Sequence, residues 1–425
     1  MTKAISIVLF LLSVAPVGLF ATESVVSVSV AADATRAAQT AIDAVRAQGG
    51  GTVRFERGTY HFRLADAATV PLYVSNHDKL PTHPVFLPLT NLVDVTVDGG
   101  GSRFVFHGQG IAALVMDSAR VTLKGFSIDW ARPYNTEMTV QGYENGGTLV
   151  SVDRARFPVE VRDGKLFAVG EGWSAPTGYG IVFDGTSHEI LERVASVRFD
   201  GTAEARTDGR LWLGTDLSKV GRRGAKVGDV FVSRPCAAPW RPHPAIAAYR
   251  ATDTVLEDVV IHAAFGMGVL AQRCENFTLR GTGRGAEKTC GVWPSAGRAC
   301  AQMVDATHFA NVKGKVSVSN CRFERMLDDA INVHSTGLGI VSAPAPDVIV
   351  CRGMHEQGWG FEMFRPGETL RFIRARTLEN GDEVRVAAVR ERSPREMELR
   401  LERPVPAGYG VGDAVENADG QCAVD

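Results

Sequence analysis

Phe323-Glu324-Arg325-Met326-Leu327-Asp328-Asp329-Ala330-Ile331-Asn332-Val333-His334 places two adjacent carboxylates at the end of a strand pattern. A third carboxylate, in Val304-Asp305-Ala306-Thr307-His308-Phe309, lies 23 and 24 residues upstream of them. That interval suits one turn of a parallel β-coil, in which successive passes of the chain stack about 4.7–4.9 Å apart. Residues far apart in sequence then become one cluster in space. A group of acids outside any metal-ligand pattern is what hydrolysis of a glycosidic bond requires. Turn chemistry is the competing explanation, because Asp is common at strand ends.

The rest of the chain carries the same rhythm. Leu92–Val97, Arg120–Ile128, Thr254–Ile261, Asn276–Arg280 and Lys315–Phe323 each alternate Val, Ile, Leu or Phe with polar residues and break at polar turns. Ahead of them, Asp33 is placed to cap a helix whose apolar face is Ala37, Ala38, Ala41, Ile42 and Val45. Gly49-Gly50-Gly51 should end that helix and Thr52–Phe55 should follow as a strand. A helix there would close an end of the stack that otherwise exposes unpaired backbone.

Two stretches interrupt the rhythm with longer, more charged strands. They end alike, in Lys226-Val227-Gly228-Asp229-Val230 and Gly410-Val411-Gly412-Asp413-Ala414. Each predicts a small β-barrel inserted into a turn of the coil. The expected division is 1–21 signal peptide, 22–132 cap and first rungs, 133–235 first barrel, 236–335 rungs with the acids, 336–417 second barrel and 418–425 an irregular tail.

Composition narrows the partners. The 425 residues are 45% hydrophobic and 22% charged, so the chain folds around a large core. A formal charge of -2 gives no reason to expect nucleic acid or an anionic membrane. Lys3 followed by the uncharged run Ala4–Phe20, with small residues at Ala21 and Thr22, reads as a secretory signal, hence a secreted or periplasmic protein with no membrane contact after processing. The seven cysteines form no CxxC pair and no zinc pattern. Cys290 and Cys300 flank a Gly/Pro-containing loop and are spaced to pair, while single cysteines also serve as small core residues.

The landmarks Ser75-Asn76-His77-Asp78-Lys79, Asp98–Ser102, Phe126–Trp130, Met267–Gln272, Asp305–Phe309 and Asp328–His334 run in the order seen in glycoside hydrolase family 110, which the chain resembles. That family comprises exo-acting α-galactosidases that remove terminal α-1,3-linked galactose, including that of blood group B antigens. The resemblance implies an all-β protein: a right-handed parallel β-helix with two inserted barrels and an N-terminal helical cap. It implies an inverting mechanism with Asp328 as general acid and Asp305 and Asp329 holding and deprotonating the water. An exchange of roles between Asp328 and Asp329 stays open.

The expected sugar contacts are His308, Asn332, His334, Gln272 and Arg298, with Trp130 and Trp293 as stacking surfaces. Trp240 and the pair His77-Asp78 are further candidates for the cleft. No metal or other cofactor is expected, and the partners expected are an α-galactoside glycan and a second copy in a homodimer.

One departure from the family pattern is the end of the chain, where Ala418–Asp425 shows no strand pattern and resembles a truncation. Two alternatives follow from the sequence. One is a polygalacturonase-like glycosidase, which would need cations about the acids, and Arg298 and Arg325 are the nearest in sequence. The other is an inactive carbohydrate-binding protein.

Overall fold

A computed structural model describes residues 24–31, 33–191, 197–237 and 239–425. The expected signal peptide lies outside the described residues. The helix forms over Thr35–Ala47 and buries Ala38, Ala41, Ile42 and Val45. Asp33 serves its first turn by accepting the Thr35 N–H at 2.9 Å. Gly49, Gly50 and Gly51 all take positive φ, and the strand Gly51–Phe55 follows.

The body is built from parallel passes of the chain. Val93–His107, Ala119–Trp130 and Thr252–Ile261 pair in parallel, with Val95 opposite Val121 and Leu123 opposite Leu256. Their apolar residues alternate inward: Val95, Val97, Val121, Leu123 and Leu256 are all buried. Two of these long strands, Val93–His107 and Thr252–Ile261, change partners part-way along. The first half of Val93–His107 pairs Gly51–Phe55, and its second half pairs Thr59–Arg63. The break falls at Gly99-Gly100-Gly101, where Gly100 has φ +59°, and on the next pass at Gly125, with φ +68°. A side chain at Gly99 would sit 2.5 Å from Phe126 Cβ, so the bend also depends on close approach between passes. One long strand thus supplies two walls.

Another wall is a seven-stranded sheet in which Ile246–Tyr249, Val269–Gln272, Thr307–Ala310 and Ile331–His334 lie parallel and in register. Between the walls run stacked aromatics, Phe62 on Phe106 at 4.8 Å and Phe104 on Phe126 at 4.5 Å. Buried side chains of this size each stabilise the fold by about 1.5–3 kcal/mol, so the stack is held chiefly by its interior.

Both barrels are present. The first is an eight-stranded antiparallel sheet running from Thr136 to Pro235, whose ends approach through the Lys165–Thr202 bridge. Its own core includes Met138, Val140, Leu166, Val182, Leu213 and Phe231. The second is a closed six-stranded barrel, sealed where Gly337–Ala345 pairs Ala414–Asn417. Each barrel interrupts a single pass. The segment expected to be an irregular tail contains instead the strand Cys422–Val424, which pairs with Lys313–Ser319 in the parallel body. Its short length and single apolar alternation left no pattern to read.

All seven cysteines are free thiols. Cys300 is buried against Asn135 and the Gln302 carbonyl. Cys290 lies opposite Cys321 on the neighbouring strand, so the Cys290–Cys300 pairing is not made.

Candidate active site

Asp305 sits in the loop just before Thr307–Ala310, and Asp328-Asp329 in the loop just before Ile331–His334. The strands are in register, Thr307 opposite Ile331. The register continues into the loops: Ala306 N–H donates to the Asp329 carbonyl at 2.8 Å, and Gly268 N–H donates to the Asp305 carbonyl at 3.1 Å. Asp305 and Asp329 therefore occupy equivalent places one pass apart, which accounts for their 24-residue interval. Asp328 and Asp329 lie in a bend and not in a strand, which frees both to face one side. One carboxylate oxygen from each of the three acids comes within 4.8 Å of the others. Oxygens at that span could also share a hard divalent cation.

The electrostatics differentiate the acids. The Asp328 carboxyl titrates above the usual carboxylate range because it is partly buried and faces the like charges of Asp305 and Asp329. Arg241 opposes that rise. Asp305 is buried, whereas Asp328 and Asp329 are exposed to the cleft.

A chain of hydrogen bonds leads away from Asp305. His308 Nδ1 meets Asp305 Oδ2 at 2.7 Å, His308 Nε2 meets His334 Nε2 at 2.7 Å, and His334 Nδ1 meets the Ser335 carbonyl at 2.7 Å. A carbonyl only accepts, so His334 carries a proton on Nδ1. Two ring nitrogens this close need a proton between them, and so does the Asp305–His308 contact. Asn76 Nδ2 lies 2.8 Å from His308 Nε2 and 3.3 Å from His334 Nε2, covering the junction.

These contacts redistribute the expected roles. Both ring nitrogens of His308 and of His334 are engaged within the protein, in the chain that ends on Asp305. Asn332 donates to Asp329 Oδ2 at 2.8 Å and orients that carboxylate. Gln272 is buried with both ends of its amide spent on backbone, accepting from Ser75 N–H at 2.9 Å and donating to the Tyr73 carbonyl at 2.7 Å. It holds the loop that carries Asn76. Arg298 is buried in an ion pair with Asp129 at 3.0 Å and donates to the His262 carbonyl at 2.7 Å. Trp130 is a core residue, its indole N–H on the Gly108 carbonyl at 3.1 Å and its ring against Phe106 and Phe265. Trp293 is 6% exposed, packed edge-on to His262 with Arg322 above it. The Trp130 ring is enclosed by the core, and Trp293 lines a separate cleft with Arg103 and His262.

Residues outside the expected contact set complete the cleft. Asp78 takes the Arg241 backbone N–H on Oδ2, and its own N–H donates to the Arg241 carbonyl at 3.2 Å. Arg241 and the exposed Trp240 line a small cleft with Gly266, Met303 and Val304. The Asn76 loop was visible among the sequence landmarks; Trp240-Arg241 carried no signal beyond the tryptophan. From the first barrel, the Glu137 carboxylate accepts the backbone N–H groups of Ala299 and Cys300 at 2.9 and 3.0 Å, fixing the loop that leads to Asp305.

Comparison with known proteins agrees with this layout. Residues 136–230 match the GLAA-B beta-barrel domain I and residues 348–415 match the GLAA-B beta-barrel domain II. A protein of Akkermansia muciniphila named alpha-1,3-galactosidase B is 39% identical over 384 residues, covering 90% of this chain and 47% of that protein. Another alpha-1,3-galactosidase B, from Bacteroides fragilis, is 32% identical over 378 residues, covering 87% of this chain and 60% of its own length. An alpha-1,3-galactosidase A of Shewanella woodyi is 28% identical over 388 residues, covering 91% and 62%. The chain therefore spans about half to three fifths of the length of these relatives.

Proposed function

We propose that the chain belongs with the GLAA-B barrel proteins named alpha-1,3-galactosidase that it resembles, and that it is an exo-acting glycoside hydrolase removing terminal α-1,3-linked galactose. The observation that carries this reading is the convergence of Asp305, Asp328 and Asp329 within 4.8 Å, with Asp328 held toward its protonated form. The parallel body is read as a right-handed β-helix, and the protein as exported to a periplasm or beyond the cell. Glycans ending in the blood group B determinant are the proposed substrates.

In this mechanism Asp328 gives its proton to the glycosidic oxygen as the bond to C1 breaks. Asp305 and Asp329 hold the water that attacks C1 and accept its proton. The Asp305–His308–His334 chain keeps Asp305 in place through that step. A protonated acid beside ionised partners is the division of labour that glycoside hydrolysis needs.

The separation of the acids favours a second reading of the stereochemistry. Inverting pairs stand roughly 6.5–9.5 Å apart to admit a water, and retaining pairs about 5–5.5 Å apart. Closest oxygens within 4.8 Å fall below the inverting range, and in a retaining course Asp329 or Asp305 would attack C1 directly. The test is to incubate the protein with an α-1,3-galactobioside and with polygalacturonan as control. Galactose released only from the former supports the reading. Release from neither, or from galacturonan alone, would sink it.

A further inference from the structure

We propose that Arg241 is the sugar-binding cation of this site, its guanidinium donating to two hydroxyl oxygens of the terminal galactose beside Asp328. This rests on the galactosidase reading and names the contact that reading lacked once Arg298 is found tied to Asp129. Four observations place Arg241 in the role. Its backbone is fixed on both sides by Asp78, so the side chain leaves from a rigid point. Its guanidinium lies 5.4 Å from the Trp240 ring, which the Arg234 guanidinium also approaches, at 4.7 Å. It lines one cleft with Val304, the neighbour of Asp305, and its charge acts on Asp328.

Last, its guanidinium is not spent on an acid. Among the described residues Arg241 Nε is buried without a hydrogen-bond partner, and no carboxylate makes an ion pair with the guanidinium. Arginines elsewhere in the protein meet acids closely, as Arg223 does Asp229 at 2.7 Å and Arg273 does Glu368 at 2.7 Å. A guanidinium presents five N–H donors in a planar fork and has no acceptor, so one without an acid partner beside a cleft can meet oxygen atoms of a ligand. A fork of that shape spans two neighbouring hydroxyls.

The experiment is binding of galactose and of galacturonate, followed by calorimetry, to the full chain and to Arg241→Met and Arg241→Lys, each also on an Asp328→Asn background that blocks turnover. Arg241→Met should weaken galactose binding about tenfold or more and raise KM for the galactobioside more than it lowers kcat. Arg241→Lys should restore part of the affinity. Melting temperatures of the variants should match the parent, since the backbone contacts to Asp78 do not involve the side chain. Unchanged galactose affinity in Arg241→Met, no galactose binding by the parent, or tighter Arg241-dependent binding of galacturonate would each overturn the proposal. A parent that binds galactose through Arg241 yet releases none would retain the contact and overturn the hydrolase reading instead.

Discussion

Asp305 and Asp329 hold the same place on successive passes of the chain, joined by the Ala306 N–H on the Asp329 carbonyl at 2.8 Å. Their spacing is therefore set by backbone pairing and not by side-chain packing. Two carboxylates locked at the stacking distance are a permanent like-charge pair. Their field falls on Asp328, the acid that sits on one of the same two loops.

That field can be removed one charge at a time. Asp329→Asn or Asp305→Asn should lower the Asp328 titration toward the ordinary carboxylate range, because each takes away a negative neighbour. A carboxyl whose pKa falls loses its proton at lower pH, so the alkaline limb of kcat/KM should move to lower pH in whatever activity remains. Carboxyl carbon NMR of Asp328 follows the same shift without relying on activity. A limb that stays in place would detach Asp328 from the role of acid.

Asp328→Asn keeps volume and removes the proton donor. Turnover of an unactivated galactoside should fall by roughly 10²–10⁴-fold with little change in melting temperature. A substrate with a good leaving group should be affected much less, since its departure needs no proton. Equal losses on both substrates would assign Asp328 elsewhere in the mechanism.

His308 and His334 act on Asp305 as one chain, so their effects should not add. His308→Ala and His334→Ala are each expected to reduce kcat, and the double variant to be little worse than the poorer single one. Free-energy losses that sum would show two independent functions.

Three histidines behind the cleft make stability depend on pH. His77, His83 and His243 are buried, with His83 and His243 joined through their Nδ1 atoms at 2.8 Å. Burial lowers His77 to about 3 and His83 to about 4, and holds His243 well below its ordinary value. The unfolded chain takes up these protons near pH 6.5, the folded chain only far below. Stability is therefore complete above that pH and declines as pH falls through the interval, by roughly 2 kcal/mol at pH 5 for each such group. Chemical denaturation at pH 5 and 7.5 measures the difference, and equal stabilities would contradict it.

The anomer first released separates the two stereochemical readings. NMR before mutarotation should show β-galactose if water attacks directly and α-galactose if a carboxylate does. A chelator should leave the rate unchanged in either case, because the proposed steps are proton transfers among the chain's own residues. Loss of activity with EDTA, restored by a divalent cation, would mean that the three carboxylates hold an ion.

The all-β class, both barrels and the capping helix were legible because each rests on local pattern. Alternation marks Val93–Val97 as a strand wherever it lies, and the Gly49–Gly51 run ends a helix in any context. The acids were legible because a regular stack converts a 24-residue interval into adjacency. What escaped was direction. Trp130, Trp293 and Arg298 have the right chemistry for a sugar, yet alternation cannot say whether a tryptophan at a strand end turns into the core, as Trp130 does against Phe265. Arg241 was hidden for the opposite reason. Its backbone is fixed through Asp78, on a loop far away in sequence, and no periodicity links residues 78, 241 and 328.

Glu137 gives the first barrel a hold on the loop that leads to Asp305. The consequence is felt in chimeras. A barrel grafted in from another protein would leave every acid in the chain and still misalign them unless it brought a carboxylate to that spot. What looks like an interchangeable module is, at this one residue, part of the jig that sets the cutting edge.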